Sequence, residues 1–121
     1  MHGSAADGIH AGRFCELAAD LCGLDSAEQY LLGIFSLLLA MLGISMKEVV
    51  AMLPLRKPVQ EALLGQPNEE RYLLQWIEAE ERCDWNRRQA IAQSRGVRTG
   101  ALYASFRDAV MWAEERLPTM E

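Results

Sequence analysis

The stretch from Tyr30 to Ile44, YLLGIFSLLLAMLGI, decides how the rest of the chain is read. Only Ser36 and the small residues Gly33, Ala40 and Gly43 interrupt its apolar run, and no period-two alternation runs through it. A bilayer-spanning helix needs roughly 20 apolar residues, and this run falls short. It predicts a helix buried around most of its circumference, at the centre of a helical fold.

The whole chain has 121 residues and a net charge of −5, with half its residues hydrophobic and a quarter charged. That is one domain's worth of chain with a single core, and the composition excludes a disordered or low-complexity segment. Three cysteines at loose spacing do not make a secreted disulfide framework. The opening MHGSAADGIH has no basic region followed by an apolar run, so it is not a signal peptide, and a cytoplasmic protein is expected. Residues 1–10 are expected to form a mobile tail ahead of one helical domain over 11–118.

Working outward from Tyr30–Ile44, the punctuation is helical throughout. Phe14, Leu17, Ala18 and Leu21 share one face of a helix over 11–22 that Gly23 stops. Asp25 caps the long apolar helix, with Glu28 in capping-box position, and Gly43 ends it. Ser45 and Glu48 repeat that signature before a short helix that ends at Pro54. Pro58 opens a fourth helix closed by Gly65. Pro67 and Asn68 begin a fifth, with Leu73, Leu74, Trp76 and Ile77 on its apolar side. Asp84 caps a sixth, from Trp85 to Arg95 with Gly96 as its stop, and Thr99 caps the last, ended by Pro118. The expectation is an all-α, compact bundle of six or seven short helices.

Catalytic constellations are sparse. The two histidines, His2 and His10, fall in the expected tail, and there is no HExxH, Cys-x-x-Cys or Gly-rich phosphate loop. His10, Cys15 and Cys22 could be drawn together as a metal site, but thiols acting as small buried hydrophobes are the plainer reading. The run Glu78, Glu80, Glu81 and Asp84 could be a carboxylate site, or a solvated helix end with a cap; the second is preferred. Met41, Met46 and Met52 fit core filling better than an adaptable groove. No enzyme, cofactor or metal site is expected.

Charge is unevenly spread. Residues 82–107 hold Arg82, Arg87, Arg88, Arg95, Arg98 and Arg107 against Asp84 alone, a local plus five, so the remainder carries minus ten. Within this segment, Ala90 to Phe106 reads AIAQSRGVRTGALYASF, a short helix, a Gly-containing turn and a second helix. Ile91, Ala92, Gly96, Val97, Gly100, Leu102, Tyr103 and Phe106 resemble the DNA-reading segment of TetR-type repressors. In that family the unit lies near the N-terminus, ahead of a long ligand-binding domain, whereas here it closes a short chain. The resemblance implies a helix-turn-helix over 85–113 with Arg98 and the first turn of the last helix at the bases. In the other reading that turn packs inward through Leu102, Tyr103 and Phe106, and the arginines stay on the periphery.

A longer resemblance covers roughly 100 of the 121 residues. Arg13-Phe14-Cys15-Glu16, the words GIFSLL, MKEV and LPL between Gly33 and Leu55, and Glu81-Arg82-Cys83-Asp84-Trp85 are similar to the C-terminal half of an HDOD domain. The version it most resembles is found in bacterial proteins that pair an EAL domain with HDOD. Leu39 stands where that family has Asp, and Cys83 where it has Gly. The resemblance implies an HD-related helical fold without a metal site, acting as a signalling and protein-interaction module linked to cyclic-di-GMP. No EAL motif is present, so phosphodiesterase activity does not carry over. The chain is expected to begin partway into that domain, with apolar surface exposed as a result and a two-fold dimer through the Tyr30–Leu42 helix or its neighbours.

The expected functional surface is therefore Arg87, Arg88, Arg95 and Arg98, attractive to an acidic protein partner, with nucleic acid disfavoured. Leu31, Ile34, Phe35, Leu38 and Leu39 are the expected apolar interface or core, alongside Phe14, Leu53, Trp76, Trp85 and Trp112.

Overall fold

The computed structural model describes residues 5–43 and 45–116, with the side chains of all these except 5–9, 37–41, 46 and 116. His2, Pro118 and the side chains of Leu38, Leu39, Met41 and Met46 therefore lie outside the described residues. Seven α-helices follow in order among the described residues, and no strand: α1 Ala5–Cys22, α2 Ser26–Leu42, α3 Met46–Met52, α4 Lys57–Leu63, α5 Tyr72–Glu81, α6 Trp85–Ser94 and α7 Thr99–Arg116. A turn of 3-10 helix, Glu69–Arg71, leads into α5. The fold is the all-α bundle expected, with α1 starting at Ala5 rather than near residue 11.

Local chemistry explains most boundaries. Asp25 Oδ2 accepts from the Glu28 amide at 2.9 Å, and Asp84 Oδ1 from the Arg87 amide at 3.1 Å, so both aspartates cap the helices assigned to them. Asn68 Oδ1 accepts from the Arg71 amide, and the fifth helix thus begins as a 3-10 turn. Three expectations are corrected. Glu28 does not complete a capping box, because Arg56 draws its carboxylate away with two hydrogen bonds of 2.6 and 2.5 Å. The Ser45 side chain makes no cap bond; only its carbonyl serves α3, accepting from Val49. Thr99 is the first residue of α7 and not its cap: the Arg98 carbonyl accepts from Ala101 and Leu102, and Thr99 Oγ1 is buried without a hydrogen-bond partner.

Helix ends repeat one device. After α6 the Gly96 amide donates to Gln93 O and the Val97 amide to Ala92 O, a Schellman motif with Gly96 at φ 69°. After α5 the same two bonds run from Cys83 to Glu80 O and from Asp84 to Ala79 O, but the left-handed position is Cys83, at φ 56°. Asp84 then caps α6 directly, which makes the α5–α6 corner very tight.

The core is organised by α1, which packs against α2 on one side and α7 on the other, and reaches α5. α1 and α2 meet at Gly12 and Gly33, backbone against backbone. Phe14 stacks on Trp76 with ring centroids 5.1 Å apart, and Phe106 of α7 stands edge-on to both. Phe14, Trp76, Leu32, Leu73 and Leu102 are fully buried or nearly so. Buried Gln29 donates to the Glu70 backbone carbonyl at 3.0 Å and to its carboxylate at 3.2 Å, tying α2 to the 3-10 turn. Arg56, bonded to Glu28 and Glu70, closes the same corner from outside.

Of the remaining expected core or interface residues, Ile34, Phe35, Leu53 and Trp112 are half-buried, with the Arg13 guanidinium 5.0 Å from the Trp112 ring. Leu31 is 38% exposed and Trp85 54% exposed, so neither belongs to the core.

Candidate functional site

The basic segment folds into α6, its Schellman turn and the first half of α7. Its arginines, alike in sequence, have different fates. Arg88 points back into the bundle. Its Nη1 bonds Glu80 of α5, and its guanidinium lies 4.7 Å from the Trp85 ring, 5.6 Å from Trp76 and 5.8 Å from Tyr103. One planar cation thus joins three aromatic rings, an arrangement that guanidinium suits and ammonium does not.

Arg95 is also committed. It donates to the Cys22 carbonyl at the end of α1 at 2.8 Å, pairs with Glu69 at 3.5 Å and lies 5.3 Å from the Tyr72 ring. A cation on the last carbonyls of α1 complements that helix's dipole. Tyr72 donates its hydroxyl to Ala92 O at 3.2 Å, and burial pushes its phenol up to about 12, against the lowering effect of Arg95. Burial likewise pushes the Cys22 thiol up to about 11 and the Cys15 thiol higher still. Both thiols are buried hydrophobes, and among the described residues no group of three or more His, Cys, Asp or Glu could hold a metal ion.

Arg87 and Arg98 are exposed. Arg98 stands at the head of α7 beside an open hollow of about 540 Å³, whose lining includes Gln89, Gln93, Gly96 and Gly100. The first two turns of α7 divide: Leu102 is buried, Phe106 half-buried, and Tyr103 is 44% exposed instead of packing inward.

The acidic run at the end of α5 is a set of anchors. Glu78 accepts from Arg71 at 3.0 Å, Glu80 from Arg88, and Asp84 from the α6 backbone, while Glu81 lies 4.0 Å from His10 Nε2. The four carboxylates are drawn to three different elements, the 3-10 turn, α6 and α1, so they do not converge as a catalytic or metal-binding set. His10 is the residue that sequence reasoning misplaced. It lies in α1, one helical turn before Phe14, with its ring edge-on to Phe106 at 5.6 Å. The i, i+4 spacing of His10 and Phe14 was the available signal.

The result is a corner where α5, α6 and α7 meet, with Trp85 and Tyr103 exposed on a guanidinium already neutralised by Glu80. No helix among the described residues is long and apolar enough to cross a membrane. Compared with models of known protein families, with curated proteins and with solved structures, the chain matches none.

Proposed function

We propose that the chain is a non-catalytic, cytoplasmic module of bacterial signal transduction that presents the α5–α6–α7 corner to a protein partner. The observation that carries this reading is the exposure of Trp85 and Tyr103 on either side of Arg88. Tryptophan, tyrosine and arginine are the residues that dominate binding energy at protein interfaces. The sequence words GIFSLL, MKEV, LPL and ER-x-DW, which resemble the C-terminal part of an HDOD domain, support the signalling context and with it a link to cyclic-di-GMP. A homodimer through the outer side of α2, where Leu31 is exposed, belongs to the same proposal. Light scattering gives a dimer mass if that part holds and a monomer mass if it does not.

A second reading, a DNA-binding helix-turn-helix, is favoured by one observation: Arg98 is exposed beside the hollow at the head of α7. A photo-crosslinking residue placed at Tyr103 in bacterial cells separates the two. The module reading expects a discrete protein adduct that is absent when the same residue replaces exposed Lys57. A nucleic-acid adduct at position 103 favours the second reading.

A further inference from the structure

We draw no further inference here: the strongest candidate, the open hollow between α6 and the head of α7 with exposed Arg98 beside it, is a helix N-terminus at which nothing among the described residues points to a ligand, since Thr99, whose Oγ1 lacks a hydrogen-bond partner, is only half-buried.

Discussion

Gly33 of α2 sits so close to Gly12 of α1 that a Cβ built on Gly33 would stand 2.7 Å from Gly12 Cα and 2.8 Å from Ala11 O. Both neighbours are backbone, so no side-chain rotation relieves the clash. Gly33→Ala should therefore destabilise the fold by about 2 kcal/mol or more, despite the ~1 kcal/mol of helix propensity it gains. Urea unfolding checks this; an unchanged midpoint would mean that the two helices do not cross at these glycines. Gly12→Ala should cost less, because its closest contact is the Ile34 side chain at 2.5 Å.

Cys83 occupies the left-handed position that glycine takes after α6. Holding a residue with a Cβ there costs roughly 1–2 kcal/mol. Part of that is offset because glycine has more freedom to lose on folding. Cys83→Gly should thus stabilise the chain by about 0.5–1 kcal/mol, and Gly96→Ala should destabilise it by about 1 kcal/mol, read from the same unfolding curves.

Neighbouring arginines should behave differently. Arg88→Ala removes a side chain packed among three rings and leaves Glu80, only 13% exposed at its side chain, without its cation. A loss of about 2–3 kcal/mol is expected. Arg87→Ala, at an exposed position, should change stability by less than about 0.5 kcal/mol.

Alkaline pH should unfold the protein through groups it keeps protonated. Cys22 and Tyr72 ionise near 9.0 and 10.0 when unperturbed, and in the fold at about 11 and about 12. Between those values the unfolded chain binds fewer protons than the native one. Stability is therefore fully present below pH 9 and falls as pH rises through that window. Tyr72→Phe should flatten the upper part of the decline, measured as urea midpoints between neutral and alkaline pH. In the native state at mildly alkaline pH, a thiol reagent should label exposed Cys83 and spare Cys15 and Cys22.

The helices were legible because their boundaries rest on local chemistry: aspartate caps at Asp25 and Asp84, Pro58 in a first turn, glycine at Gly65 and Gly96. What local signals do not encode is where a long polar side chain finds its partner. Glu28 fits a capping box by spacing, yet Arg56, distant in sequence, holds it. Arg88 and Arg87 are adjacent and identical in type, and only the phase of α6 against α5 and α7 puts one among aromatic rings and the other in solvent. His10 is a different case: its i, i+4 spacing to Phe14 fits a helix that reaches back over it, but MHGSAADGIH holds no apolar run to mark where α1 begins. The candidate surface was legible in its charge; its exposed aromatic pair was not, because helical spacing alone assigns Trp85 and Tyr103 equally well to a core.

The central claim is that the basic α6–α7 segment serves a protein partner and does not read DNA. Fluorescence anisotropy of a labelled mixed-sequence duplex, titrated with the chain at about 50 and about 200 mM salt, tests it most directly. The account predicts no saturable binding at either salt, because Arg88 is committed to Glu80 and Arg95 to the Cys22 carbonyl, and the chain is acidic overall. Tight binding at the lower salt that weakens by orders of magnitude at the higher one, and is lost in Arg98→Ala, would contradict it.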